Sequence, residues 1–188
     1  YLNAGNVLGI AMGTSEAGGY VDKDMNIKGW LSELAFAPVD ACENAMVDEW
    51  SGDYGCGVKY FSQDGAIKLA PAAHIKLDDS LTPAEKLKVI QKEMENGNVE
   101  ARKIYETIGV YFGYAIAYYA YFYDIDHVLI MGRVTSGEGG ALLLKKAQEV
   151  LDREFPELAK KIALHIPDEK SRRVGQSVAA ASLPMLKK

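Results

Sequence analysis

"GIAMGTSEAGGYVD", residues Gly9–Asp22, carries an apolar run, a cluster of small and polar residues, and a second short apolar run. Two antiparallel strands joined by a tight turn fit this pattern, with residues 7–12 as the first and 18–22 as the second. The glycines leave the turn open to two readings. It is either a plain hairpin or a loop in which bare backbone approaches a phosphate. The segment alone does not separate them.

Beyond the hairpin, residues 27–62 scatter Gly, Asp and aromatic residues and read as a long excursion without a clean element. A helix is expected over about 60–72, ending near Pro71. In "LDDSLTPAEKLKVIQKEMENGN" Thr82 precedes Pro83 and acids follow, the signature of a helix start, and Gly97 supplies the stop. Asn98 opens the next helix. Its apolar residues Ile104, Ile108, Tyr111, Phe112, Ala115, Ile116 and Tyr119 recur at spacings of three and four. It turns apolar on all sides toward its end, which places it centrally. Asp124–Asp126 break it, and "HVLIMG" (His127–Gly132) reads as a short buried strand. "RVTSGEGG" is expected as a loop, Ala141–Glu154 as a helix, "KIALHI" (Lys161–Ile166) as a second short buried strand, and about 174–186 as a last helix. Helices alternating with strands behind a hairpin predict an α/β domain with a mixed sheet. Ligands then belong at the carboxyl ends of the strands, in the loops after Met131 and Ile166 and at the hairpin turn.

The 188 residues suit one domain, with 48% hydrophobic and 25% charged residues, an ordinary globular balance. A net charge of −5 argues against a nucleic-acid surface, and the short basic pairs such as Lys145-Lys146 and Arg172-Arg173 read as solvated helix faces. Two cysteines, Cys42 and Cys56, make no disulfide framework, so a reducing, cytoplasmic setting is expected. The opening "YLNAGN" has no signal-peptide pattern and no initiator methionine, and suggests a fragment or a trimmed start. "IGVYFGYAIAYYAYFY" (Ile108–Tyr123) is too short and too rich in tyrosine for a membrane span.

Two loops fit an anion. Gly13-Thr14-Ser15 offers backbone N–H groups and two hydroxyls, and Gly132-Arg133 leads through Ser136–Gly140 into a helix N-terminus. No GxxxxGK[ST] motif occurs.

At these residues the chain resembles the ROK family (repressors, open reading frames and sugar kinases) of the actin-like and hexokinase-like ATPase superfamily. Gly13-Thr14-Ser15-Glu16-Ala17-Gly18-Gly19 stands where the family has its GTGxGGG phosphate turn. "SELAF" stands where the family has a sugar-contacting GExGH, keeping Glu33 and placing Phe36 at the histidine. "EWSGDYGCGVKYFS" (Glu49–Ser62) matches the zinc-binding CxCGxxGCxExYxS without a gap at Gly52, Gly55, Cys56, Tyr60 and Ser62. The long helix with its following strand, and "VGQSVAAASLPML", are similar to the family's later segments. The resemblance implies that residues 1–188 are a carboxyl-terminal lobe. The amino-terminal lobe, with its DxGxT loop and catalytic aspartate, lies outside this chain. It implies ATP with Mg as cofactors, nucleotide contacts at Gly13, Thr14, Ser15, Gly132 and Arg133, a sugar contact at Glu33, and a homodimer. No catalytic residue falls in this chain, so the polypeptide is not expected to phosphorylate a sugar alone.

The departures are specific. The zinc positions hold Phe36, Glu49, Ser51 and Cys56, so no structural zinc is expected. Phe36 and Trp50 are expected to fill that space, with Cys56 as a small buried residue. Ser15 and Ala17 replace family glycines, and Glu16 adds a charge that opposes a polyphosphate. Arg133 replaces another glycine and is free to pair with phosphate, Glu16 or Glu138. His74, His127 and His165 lack metal-ligand spacing and read as structural histidines. The tyrosines from Tyr111 to Tyr123 read as core and dimer surface rather than a stacking platform. A sugar kinase is the leading function. The alternatives are a sugar-sensing or assembly domain that has lost its chemistry, and the effector half of a transcriptional regulator.

Overall fold

A computed structural model describes residues 5–29 and 32–167. Strand β1 (Val7–Met12) pairs antiparallel with β2 (Glu16–Val21), register Met12 to Glu16, and β2 pairs with the two-residue β3 (Ile27–Lys28). On its other side β1 lies parallel to β4 (His127–Met131), and β4 lies parallel to β5 (Ala163–His165). The result is a mixed five-stranded sheet in the order β3-β2-β1-β4-β5. The α/β expectation holds. The second strand starts two residues earlier than its apolar pattern suggested, because Glu16 and Ala17 complete the ladder.

Three helices carry the chain from β3 to β4: α1 (Gln63–Leu69), α2 (Pro83–Glu95) and α3 (Val99–Tyr119). The start of α2 is as read, a full capping box in which the Thr82 hydroxyl accepts from the Glu85 N–H and the Glu85 carboxylate accepts from the Thr82 N–H. The Asn98 side chain caps α3 by accepting from the Glu100 N–H. Ile104, Ile108, Phe112 and Ile116 of α3 are fully buried, as are Leu8, Ile10 and Met12 of β1 and Val128 and Ile130 of β4. Alternate positions on these strands are only half-buried, so β4 is not the strand buried on both faces that its apolar run predicted.

Helix α4 (Gly137–Glu154) begins four residues before the expected Ala141, and a short α5 (Pro156–Lys161) precedes β5. The "GEGG" half of the expected loop is the first turn of α4. A Cβ on Gly139 would collide with the Tyr105 ring, and one on Gly140 with the Thr135 carbonyl. These glycines therefore serve close packing, which a propensity reading takes for a loop. Between β3 and α1 the excursion contains two single-turn 3-10 helices, Leu34–Phe36 and Gly57–Lys59, and isolated bridges Pro38 to Cys56 and Val47 to Tyr54. The expected helix over 174–186 lies outside the described residues. Among the described residues no helix is long and apolar enough to cross a membrane.

Candidate functional site

Strands β1 and β4 are adjacent and parallel, so the turn after Met12 and the loop after Met131 leave the same edge of the sheet side by side. Gly132 has φ +109°, and a Cβ there would run into the Met12 carbonyl. The backbone approach thus requires glycine on two counts. The Val134 N–H donates to the same Met12 carbonyl at 3.2 Å. Across the turn the Gly13 N–H donates to the Ser15 carbonyl at 3.0 Å, and the Gly13 carbonyl accepts from the Gln63 N–H of α1 at 2.8 Å. Thr14 and Ser15 are exposed, and their N–H groups have no protein acceptor among the described residues.

On the β4 side Arg133 is exposed and makes no ion pair among the described residues. Its carbonyl accepts from Gln91 Nε2 of α2 at 2.9 Å, which fixes the backbone and leaves the guanidinium outside. The buried Thr135 hydroxyl donates to the Gly132 carbonyl at 3.0 Å, and α4 begins one residue after Ser136. Turn amides without a protein acceptor, the N-terminus of α4 and an exposed arginine that makes no ion pair among the described residues thus lie at one edge of the sheet, which suits an anion with several oxygens.

The opposing charge expected at Glu16 is not presented there. Strand alternation sends its side chain to the core face with Met12, and Glu16 is 4% exposed. Among the described residues neither carboxyl oxygen has a hydrogen-bond partner of good geometry, and the nearby Tyr119 hydroxyl works against the effect of burial. Burial pushes the Glu16 carboxyl up to about 8, so the group is mostly neutral near pH 7. Arg133 consequently has no partner in Glu16, and it makes none with Glu138. Gly18 also has a different task from phosphate approach: a Cβ there would lie 2.9 Å from the Leu34 side chain and from the Ser32 carbonyl.

Glu33 is exposed just before the first 3-10 turn and makes no capping bond. Phe36 and Trp50 do meet, ring centroids 5.8 Å apart, but on the surface, with Phe36 41% and Trp50 84% exposed. They do not fill an interior space. Cys56 is buried and Cys42 exposed. The residues at the family's zinc positions do not suit that metal: an aromatic ring, one thiol, a serine, and a Glu49 carboxylate already held by two lysines, Lys59 and Lys68, at 2.6 Å each.

The histidines His127 and His165 pair with each other across β4 and β5, Nδ1 to Nε2 at 2.9 Å, both half-buried. His74 is remote from them in sequence and exposed at a left-handed turn, φ +54°. The tyrosine cluster divides: Tyr119 and Tyr123 are core, while Tyr114 and Tyr121 are exposed at 42% and 85%. Gln63 and Gln91, which hold the two loops in place, escaped the sequence reading because a lone glutamine carries no motif. Lys59 escaped it too, since lysine is ordinarily a surface residue.

Neither a family model nor a curated protein sequence matches the chain. Its fold matches solved ROK structures. One is a ROK family transcriptional regulator, a homologue of the E. coli MLC protein (TM-score 0.66, 17% identity, 86% of this chain and 41% of that one). Another is a ROK family glucokinase from Streptomyces griseus in complex with glucose and AMPPNP (TM-score 0.60, 17% identity, 78% and 51%). A third is the ROK hexokinase from Thermus thermophilus (TM-score 0.64, 15% identity, 88% and 53%). The chain spans between 41% and 53% of the length of these structures. The resemblance read from the motifs is thus borne out at the level of the fold.

Proposed function

We propose that this chain is the carboxyl-terminal lobe of a ROK-type sugar kinase, with the nucleotide seated between the Gly13–Ser15 turn and the Gly132–Arg133 loop. The observation that carries this reading is that those two loops leave one sheet edge side by side, with Arg133 making no ion pair among the described residues and the Glu16 carboxyl turned inward. The glucokinase bound to glucose and AMPPNP, whose fold this chain shares, supports it. ATP supplies the transferred phosphoryl group and brings Mg on its phosphates. The Thr14 and Ser15 amides and hydroxyls and the Arg133 guanidinium bind and orient phosphate oxygens. Glu33 accepts from a sugar hydroxyl. The general base that takes the proton from the attacking hydroxyl belongs to the amino-terminal lobe. The protein works in the cytoplasm without nucleic acid bound to this lobe, as a homodimer whose contact includes the exposed Tyr114 of α3 and Tyr121 just past its end.

The test is ADP production by the full-length protein with Mg-ATP across hexoses and N-acetylhexosamines. Sugar-dependent turnover is expected. Folded full-length protein with no turnover on any sugar removes the kinase reading. One observation favours the second reading, a sugar-sensing or regulator domain: the position of the sugar-contacting histidine is an exposed phenylalanine, Phe36, which cannot hydrogen-bond. The shared fold with a transcriptional regulator is in keeping with it. Sugar binding without ADP release would select it.

A further inference from the structure

The excursion between Pro38 and Ser62 has almost no regular structure, yet its backbone closes on itself. Val39 and Asp40 donate to the Gly55 carbonyl at 2.8 and 3.1 Å, Gly55 donates to Met46, and Asp48 and Asp53 pair around the turn. Its large side chains divide: Tyr60 and Phe61 at its carboxyl end join the core and Val39 and Met46 pack against it, whereas Val47, Trp50 and Tyr54, around the Asp48–Asp53 turn, are exposed. At its centre is an ammonium. Lys59 has a side chain only 7% exposed, and its Nζ lies 2.6 Å from Glu49 Oε2, 2.6 Å from Asp64 Oδ2 and 3.2 Å from Asp48 Oδ1. An ammonium has three donors, and three carboxylates from two parts of the chain take them. Asp48 and Glu49 belong to the excursion, whereas Asp64 belongs to α1.

We propose that the Lys59 ammonium is the cation that holds this excursion, in place of a bound metal, and that through Asp64 it fixes α1 and with it the Gly13 turn. A central cation that gathers anionic ligands from separate segments does what a structural metal does for a segment with little regular structure. The link to the turn is short: Asp64 follows Gln63, whose N–H donates to the Gly13 carbonyl at 2.8 Å. Two of the carboxylates are also held by groups other than Lys59, since Asp48 accepts from the Ser51 N–H at 2.9 Å and Glu49 also receives Lys68 at 2.6 Å. Removing the ammonium leaves three carboxylates facing one another with part of the site buried. Burial works against the charge on Lys59, but the three carboxylates outweigh it and hold its pKa above the ordinary lysine value. Cys56 is then a packing residue, its thiol pushed up by burial.

The test is amide hydrogen exchange followed by mass spectrometry on the whole chain, with three arms. In wild-type protein, EDTA or added zinc should change protection over residues 38–56 by less than about twofold. Lys59→Met, which keeps the apolar stem, should lower protection over 38–56 and in α1 by on the order of a hundredfold, while α3 amides stay within about threefold. Asp64→Asn and Glu49→Gln each leave the ammonium two carboxylates and should open the same segment by about tenfold. They decide the matter if Lys59→Met does not fold. A stoichiometric metal whose removal opens 38–56 overturns the proposal, as does unchanged protection in Asp64→Asn and Glu49→Gln. None of these readouts depends on kinase activity.

Discussion

Glu16 immediately follows the Gly13–Ser15 turn, yet it shows the turn nothing but backbone. Its carboxyl is buried with a pKa of about 8 against an ordinary value of 4.5, so the native state holds a proton that the unfolded chain releases. Stability from this group is therefore fully present below about pH 4.5 and is lost as pH rises through about 8, by a few kcal/mol at most. Glu16→Gln removes the titration and keeps the shape. Thermal melts should show the variant more stable than wild type at pH 8.5 and close to it at pH 4.5. A difference that is the same at both pH values would place the carboxyl in water. The inward orientation was hidden in the sequence because "EAGGY" is too poor in apolar residues to show which face each side chain takes. Cys56 was legible, since a lone cysteine without ligand partners is ordinarily a small buried residue. Lys59 was not, because only the fold brings Asp48, Glu49 and Asp64 to it.

Helices α3 and α4 lie against each other at Gly109 and Gly113. A Cβ on Gly109 would sit 2.5 Å from the Leu143 carbonyl, and one on Gly113 2.6 Å from Val150 Cβ and 2.9 Å from the Ala147 carbonyl. Backbone on the partner helix cannot yield as a side chain can. Gly113→Ala should thus cost about 1–3 kcal/mol in urea unfolding, although alanine is the better helix former. A gain in stability would show that the helices are not in such close contact. The long helices were legible from apolar periodicity and from Thr82 and Asn98 at their starts. The first turn of α4 and the whole of α5 were not. Four residues of "GEGG" look like loop until Tyr105 and Thr135 lie against them, and the six residues from Pro156 to Lys161 are too few for a period.

At the scale of the whole molecule the two loops form one site only because β1 and β4 are neighbours, although more than a hundred residues separate Met12 from Met131. If the nucleotide lies there, Arg133→Ala should weaken Mg-ATP binding to full-length protein about tenfold by calorimetry, with the melting temperature of the free protein unchanged. Unaltered affinity would move the phosphates away from this loop. By itself the sequence determined the hairpin, the long capped helices, the α/β class and the residue types at each motif position, because propensity, caps and periodicity act over a few neighbours. Tertiary structure alone decided that Glu16 points inward, that Arg133 makes no ion pair among the described residues, that Phe36 and Trp50 meet at the surface, and that Lys59 gathers three carboxylates. Those outcomes depend on burial and on charges that are distant along the chain but adjacent in space, and no local pattern encodes either.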